Sequence, residues 1–485
     1  MYKLRLINDD ESEVIDLLHG PVRLHDWGWA PKFTSLSQRG VNLPFGYQTT
    51  SVGYGAVTET FSVIVEGCAD DIRDRVAEVE RFLEGAAAHM DDPLVENAHW
   101  IEWSAGGEDP KRSLITGGAI SPLSGVGYWP MLSDLQLRLT LVVTRHPLWE
   151  NAIAATPTIS VDAASTIGGT IPFLATPGRV PARIAHMMIR DDGGGVYGGA
   201  DAAITKIWMG FRPEYEGLTN FETVWECEST AIAGGHSTII DVADTANTGY
   251  SATYHNGYGV TTTFTDTVME PRISIALHDV AGNVVANYPD FVGRYLILAR
   301  CWVSDDSAVI QMRYGYDETT ARIACDPIVV DHAAPLYVEL GTVQIPTPGL
   351  WPFRFPVSAS DQIGAFTIWL YSQNVAATSM TIDALVLIPA DYFVKLEDAV
   401  VLYNAAPAVE DVTVLSTLPD DRVFAVAGQY DGNIRASVAA SPNQWYAPTG
   451  NSLLVVAAEQ AALQDINDDL DLAIDWYPRW QSYRD

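Results

Sequence analysis

The sequence predicts a mainly β, multi-domain protein, with an N-terminal β-sandwich and one flanking α-helix followed by β-sandwich or jelly-roll domains. Three observations support this. The 485 residues exceed the usual size of one domain and suggest three or four. Val, Ile, Thr, Tyr and Trp are frequent, and Gly and Pro interrupt the chain throughout. Apolar and polar residues alternate in many short stretches, as in strands with one buried face.

The first 150 residues contain the only convincing helical pattern before residue 460. It runs from Ala69 to Met90, and Asp70 or Asp71 can cap it. Its apolar stripe consists of Ile72, Val76, Val79 and Leu83 or Phe82. Alternating strands lie before it, at 57–66, and after it, at 135–144. A sheet covered by one helix therefore forms a small α+β unit.

Shorter strands complete this first unit (residues 1–150). They are a hairpin of Lys3–Ile7 with Glu13–Leu18, then Val22–Ala30, His99–Trp103 and Leu114–Ile120. The closing strand ends in Arg145-His146-Pro147-Leu148-Trp149, where proline stops strand pairing.

The order strand, helix, strands and long closing strand ending in TRHPLWE resembles the N-terminal domain of phage tail proteins of the distal-tail and tail-tube type. The opening MYKLRLINDDESEVIDLLHGPVRLHDWGWAP is similar too. The resemblance covers about 150 residues and implies a tail-tube-like β-sandwich that forms a ring.

The second unit is predicted to be discontinuous. Residues 151–216 hold too few strands to bury a core, so we expect them to pair with residues 395–485. The glycine-rich turn at 191–199 has no following helix or lysine and is interpreted as a loop rather than a phosphate site. The ending Tyr477-Pro478-Arg479-Trp480 is similar to the end of tail proteins of this family.

The insertion (residues 217–394) carries short strands every 10 to 15 residues, which is typical of a sandwich or jelly roll. The stretches VGRYLILARCWVS, PLYVELGTVQIP and MTIDALVLIPAD resemble strands of carbohydrate-binding-module jelly rolls. The resemblance covers roughly 170 residues and implies a module that contacts glycans.

The formal charge of -33 disfavours binding to duplex DNA or anionic membrane. Simple solubility, or a salty habitat, is the simpler explanation of the charge, and a surface that repels a polyanion is the alternative. No signal peptide or membrane-spanning apolar run is evident, so no membrane insertion is expected and synthesis in the host cytoplasm is predicted. Cys68, Cys227, Cys301 and Cys325 have no metal-ligand spacing and are interpreted as small apolar residues.

The sequence carries no catalytic signature, and no enzyme is predicted. The ten histidines are scattered without HExxH or a close pair, and GxSxG is absent. Adjacent aspartates such as Asp191-Asp192 belong to loops and do not face each other across a cleft.

One constellation suggests a structural calcium as the only cofactor. Glu226 and Glu228 lie on one face of a predicted strand, and Asp383 lies in the last strand of the same sandwich. First and last strands are neighbours in carbohydrate-binding jelly rolls, and calcium prefers several oxygen ligands. Solvated glutamates are the simpler reading. Six aromatic residues are candidates for a sugar platform, although core packing is the commoner role for Trp302 and Tyr314. They are Tyr250, Tyr254, Tyr258, Trp302, Tyr314 and Tyr316.

Taken with the resemblance, these features indicate a structural virion protein of a phage tail. It would form a ring, six-fold by family likeness, at the distal tail or baseplate, between the tail tube protein and the hub or tip proteins. DNA would pass its channel without specific binding, and the insertion would contact host-surface glycan. A distal-tail ring, a tube subunit and a tip component remain open. The alternative is a carbohydrate-binding adhesin, or an accessory module of a carbohydrate-active enzyme.

Overall fold

The computed structural model describes about two thirds of the chain. The described ranges are 2–25, 36–43, 46–92, 96–122, 136–153, 158–161, 169–176, 180–191, 204–213, 224–227, 237–238, 259–264, 267–276, 292–315, 322–345, 366–377, 379–402, 412–417, 422–427, 438–440, 446–460 and 470–480. Strands dominate these ranges, and one helix lies among them. The predicted mainly β, multi-domain fold class is therefore confirmed.

The first unit contains ten strands and the helix. They are β1 (Lys3–Asn8), β2 (Val14–Asp16), β3 (Val22–Leu24), β4 (Leu36–Leu43), β5 (Gly46–Tyr54), β6 (Val57–Glu66), α1 (Ala69–Asp91), β7 (His99–Ser104), β8 (Lys111–Pro122), β9 (Gln136–Arg145) and β10 (Trp149–Asn151). Strand β6 pairs with β9 over its full length, and β1 pairs with both β2 and β7. The predicted hairpin and the two long alternating strands therefore form as expected.

Helix α1 packs its apolar stripe on this sheet. Ile72, Val79, Phe82 and Leu83 are buried in one core with the inward residues of β6 and β9. The N-cap is Cys68, two or three residues before the predicted Asp70 or Asp71. Asp71 occupies the third helical position, and its carboxylate accepts a hydrogen bond from the Cys68 N–H at 3.1 Å. Asp71 therefore stabilises the start of the helix, because its side chain accepts the N-cap N–H as in a capping box.

The second unit joins strands from both ends of its sequence. Its strands are β11 (Thr158–Val161), β12 (Gly169–Thr176), β13 (Val180–Asp191), β14 (Ile204–Pro213), β26 (Phe393–Leu402), β27 (Val412–Thr417), β28 (Arg422–Ala427), β29 (Val438–Ala440), β30 (Tyr446–Ala447), β31 (Gly450–Gln460) and β32 (Leu470–Trp480). One five-stranded sheet has the order β12-β31-β14-β26-β29. Strands β13 and β32 pair antiparallel with two register shifts, between Val180 and Arg183 and between Ile184 and His186, and β27 and β28 extend that sheet.

The insertion forms two facing sheets. Its strands are β15 (Val224–Glu226), β16 (Ser237–Thr238), β17 (Val260–Thr263), β18 (Glu270–Ala276), β19 (Gly293–Val303), β20 (Ala308–Gly315), β21 (Arg322–Ala324), β22 (Ile328–Val330), β23 (Leu336–Ile345), β24 (Thr367–Asn374) and β25 (Ser379–Pro389). One sheet has the order β16-β17-β25-β19-β23, with β15 on β25; the other has β18-β24-β20-β21, with β22 on β20. One hydrophobic core contains inward residues from both sheets, including Ile297, Ile310 and Leu370. The predicted strand at 250–254 lies outside the described residues.

The described part of the chain contains no helix with the length and apolarity to cross a membrane. All four cysteines are free thiols, with Cys227 and Cys301 buried. Burial raises the pKa of the Cys301 thiol, which therefore stays protonated near neutral pH.

Candidate functional site: the joints between the units

The first joint is a strand seam between the first unit and the second. Strand β10 pairs with β8 on one side and with the C-terminal strand β32 on the other, so that Glu150 faces both Arg112 and Arg479. One sheet therefore runs from the edge of the first unit into the second, in the order β2-β1-β7-β8-β10-β32-β13-β27-β28. Strand β32 of the second unit therefore extends the sheet of the first unit.

Glu150 is the centre of this joint. It is 3% exposed, and both its oxygens accept hydrogen bonds from Arg183, at 2.9 and 2.6 Å. Arg112 adds a third bond at 3.3 Å. Burial opposes ionisation of Glu150, but the guanidinium groups of Arg183 and Arg112 outweigh it and hold its pKa below the ordinary value. The carboxylate is therefore ionised at neutral pH and links the two units by charge.

Aromatic rings sandwich the same arginines. The Arg112 guanidinium lies 4.1 Å from the ring centre of Trp100 and 4.8 Å from that of Tyr477. Arg183 lies 4.6 Å from the same Tyr477 ring. Such cation–π contacts contribute from about 0.5 to 2 kcal/mol each, more when desolvated. Because Trp100 belongs to the first unit and Tyr477 to the second, these stacks cross the seam.

His146 precedes the seam in the TRHPLWE stretch. Its Nδ1 accepts a hydrogen bond from the Leu148 N–H at 3.2 Å, which places the imidazole proton on Nε2. Burial, reinforced by the positive charge of Arg479, lowers its pKa to about 3. A histidine that ionises only in strong acid is neutral near neutral pH and is a poor general acid or base there.

Arg145 and Glu59 tie the start of the same stretch to the first unit. Their ion pair, at 2.9 Å, is fully buried, and the guanidinium lies 4.6 Å from the ring centre of Trp149. Arg145 also donates to the carbonyl of His146 at 3.0 Å. Burial lowers the pKa of the Arg145 side chain, which remains a cation. The turn into β10 is therefore held by a buried charge pair on the β6–β9 ladder.

The second joint connects the second unit with the insertion. Trp208 of β14 is fully buried and donates its indole N–H to Glu339 of β23 at 2.9 Å. Lys395 forms an ion pair with the same Glu339 carboxylate. The Trp208 ring packs edge-on against the Tyr337 ring, with centroids 5.5 Å apart. The insertion thus supplies an acid and a ring to an aromatic residue of the second unit.

The second unit also contributes an acid to this joint. Glu459 of β31 accepts the backbone N–H of Tyr337 at 2.8 Å and pairs with Lys206 at 2.9 Å. The core of the insertion also continues across the joint, since it includes Val455 and Ala457 of the second unit. A contact built from shared core and paired charges fixes the direction in which the insertion points.

Three lysines lie at these two joints. Of the five in the chain, Lys206 and Lys395 lie at the second joint, and Lys111 lies 4.4 Å from the ring centre of Trp480 at the first. The chain has few basic residues, and these three lie where the units meet.

The structure describes two of the three predicted calcium ligands, Asp383 and Glu226. Asp383 is completely buried, and its Oδ2 accepts a hydrogen bond from Arg300 at 2.5 Å. Glu226 ends β15, opposite Ala384, and Glu228 lies outside the described residues. No group of three or more His, Cys, Asp or Glu residues in the described ranges could hold a metal ion. The calcium site stays a prediction, and Asp383 forms an ion pair with Arg300 in the structure.

The structure describes two of the six aromatic residues predicted as a sugar platform. Tyr314 packs on the insertion core, 6.2 Å from the Phe366 ring centre, and Trp302 is half-buried. The other four aromatics lie outside the described residues.

The hairpin of β4 and β5 was not predicted from the sequence. Its strands pair from Leu36 with Tyr54 to Leu43 with Gly46 and form a two-stranded sheet of their own within the described ranges. The two strands contain a single charged residue, Arg39. Isolated two-stranded hairpins are marginally stable in water, and their edges are open to pairing. The hairpin is therefore suited to pairing with another chain.

The chain matches no protein-family model and no curated protein. Among solved structures, it is similar to the SPP1 Dit (gp 19.1) protein, described as a paradigm of hub adsorption apparatus in Gram-positive infecting phages, at 10% identity and a TM-score of 0.29 over 99% of each chain. It is also similar to a chain of the phage P2 baseplate in its activated conformation with Ca, at 8% identity and a TM-score of 0.21, over 77% of this chain and 99% of that one. The phage p2 baseplate in its activated conformation with Sr gives 9% identity and a TM-score of 0.21, over 79% of this chain and 97% of that one. Overlaps this low do not establish a shared fold or function.

Proposed function

We propose that this protein is a structural component of a phage tail that assembles as a closed ring at the distal end or baseplate. The sequence resemblance of the first unit to distal-tail and tail-tube proteins motivates the proposal and is the source of the number six for the subunits. The observation that carries it is the β4–β5 hairpin, which pairs with no other strand among the described residues. In a ring, each subunit can cover its neighbour's edge through a heterologous contact that closes.

The proposed architecture follows the three units. The first unit (1–150) forms the ring, the discontinuous second unit (151–216 with 395–485) is its partner sandwich, and the insertion (217–394) points outward. Strand pairs between residues 169–213 and 393–480 support this division. The joints support a ring that holds its outward modules at fixed angles.

The proposed partners are the tail tube protein on one side and hub or tip proteins on the other, with the virion tail as location. DNA would pass the channel without specific binding, because an acidic chain repels a polyanion. Strands β4 and β5 carry no acid, so repulsion would come from the rest of the ring.

The test is the mass of the full-length protein in solution, at low and high salt. Subunits of the same charge repel, and salt screens this over about 8–10 Å near physiological ionic strength, so ring formation should rise with salt. A variant that replaces residues 36–54 with a short Gly-Ser linker should remain monomeric and folded. A ring that survives this deletion would reject the hairpin as the contact.

The second candidate, a glycan-binding adhesin or accessory module, rests on the insertion's two facing sheets. It is compatible with the ring, because outward modules on a tail ring can contact host-surface glycan. Copy number distinguishes the tail positions: one ring per particle indicates a distal-tail or tip component, and many stacked rings indicate a tube.

A further inference from the structure

A cleft of about 570 Å³ lies between the second unit and the base of the insertion. The second unit contributes the start of β13, the end of β14 and β30, and the insertion contributes the start of β19 and the turn after β25. The two backbones touch beside it, because a Cβ at Gly210 would lie 2.2 Å from the Pro389 carbonyl oxygen. The volume is in the usual range for small-ligand sites, and such sites favour domain boundaries.

Aromatic residues form much of the wall. Phe211 and Tyr295 are buried, whereas Tyr392 and Tyr446 are half-buried and retain accessible surface. Tyrosine combines a flat apolar face with a hydroxyl group that can donate or accept. A wall of this kind suits a ligand with both C–H faces and hydroxyl groups, which is the chemistry of a sugar ring.

The charge of the cleft is opposite to that of the protein. Arg212 is 5% exposed and Arg294 is exposed, and both line the cleft with one acid, Asp391. Within the described ranges, Arg294 forms neither an ion pair nor a ring contact, unlike Arg112, Arg145 and Arg183. The lining therefore carries a net positive charge in a chain of charge -33. Planar guanidinium groups recognise carboxylate and phosphate by paired hydrogen bonds.

We propose that this cleft binds a saccharide that carries a carboxylate or phosphate group. The sugar ring lies against Tyr392, and the acid group meets Arg294 and Arg212. This proposal rests on the glycan-contact part of the proposed function and is independent of ring assembly. It places the binding site at the base of the insertion, so that each ligand contacts both units.

The test is calorimetric titration of the full-length protein with glucose 1-phosphate, glucuronate and glucose. Both charged sugars should bind at least about tenfold more tightly than glucose, which corresponds to one good charge-assisted interaction. The two probes show whether phosphate or carboxylate is preferred. Added salt should weaken both.

Variants locate the site. Arg294→Gln changes an exposed side chain and should weaken the charged sugars about tenfold, with glucose unaffected. Tyr392→Ala should weaken all three sugars. The control is Arg81→Gln, which removes the same charge from an exposed position on α1 and should change nothing.

Two results would overturn the proposal. If charged sugars bind equally to wild type, Arg294→Gln and Tyr392→Ala, the site lies elsewhere and glycan contact itself stands. If neither the charged sugars nor purified host-surface polysaccharide binds, the glycan part of the proposed function fails with it, and the mass measurement of the ring is unaffected.

Discussion

Replacing Glu150 with glutamine removes the charge at the centre of the first joint and preserves the side chain's shape. Arg183 and Arg112 then keep two buried positive charges without their shared carboxylate. Hydrogen bonds to charged groups contribute about 1.5–3 kcal/mol each, and glutamine retains one acceptor oxygen. Removing one partner of a buried ion pair usually costs about 3–5 kcal/mol. We expect a loss in this range, equivalent to a fall in Tm on the order of 10 °C for a unit of this size.

The assay is urea and thermal unfolding of the full-length protein followed by tryptophan fluorescence, since Trp149 and Trp480 pair directly at the seam. Because the joint couples two units, Glu150→Gln should also separate their unfolding transitions. The matched control is Glu66→Gln, whose ion pair with Arg23 is exposed, at 32% and 45%, and should cost less than about 1 kcal/mol. If Glu150→Gln costs no more than this control and leaves the transitions coincident, the joint is not held by its buried charge.

Three further predictions concern pH, the insertion and catalysis. His146 is neutral when folded, with a pKa near 3 against an ordinary 6.5, so the unfolded state binds more protons between these values and stability falls as pH drops from 6.5. His146→Asn keeps an acceptor for the Leu148 N–H, and its free energy of unfolding should fall by about 1–2 kcal/mol less than that of the wild type between pH 6.5 and 5; identical pH profiles would reject this. Residues 217–394 produced alone should unfold cooperatively, but less stably than in the full chain, because Tyr337 and Glu339 lose their partners across the second joint; absence of a cooperative transition would reject the insertion as a unit. The purified protein should not cleave glycan or peptidoglycan, because the sequence shows no acid/base pair, and turnover that one carboxylate substitution abolishes would restore the enzyme alternative.

Periodicity was sufficient to predict the secondary structure that rests on local patterns. Helix α1 and the β6–β9 pair follow from apolar spacing, because each has one face in the core. The hairpin at 36–54 has mixed polar and glycine-rich strands without clean alternation, so its pattern carried little signal.

The joints required information that a single sequence does not contain. Glu59 and Arg145 could have been found, since each places a charge in the apolar phase of a predicted strand, and such charges need partners. Glu150 and Arg183 could not, because their contact depends on the pairing of β10 with β32 and of β32 with β13. The same holds for Trp208 and Glu339, which are 131 residues apart.

The cap and the calcium ligands illustrate a related difficulty. Acidic residues at the start of α1 were recognised, but the choice among neighbouring positions depends on the exact backbone turn at Cys68. Asp383 was correctly placed in the sandwich beside β15, but its partner Arg300 comes from the neighbouring strand β19. The partner of a buried acid such as Asp383 depends on which strand lies beside it, and a single sequence does not give the strand order.

The most direct test of the proposed tail ring is a rotationally averaged electron-microscopy image of the full-length protein at raised salt. The proposal predicts a closed ring of six subunits, with the insertions as outward arms at one fixed angle set by the second joint. Strictly monomeric particles, at high concentration and with tail partners added, would contradict it.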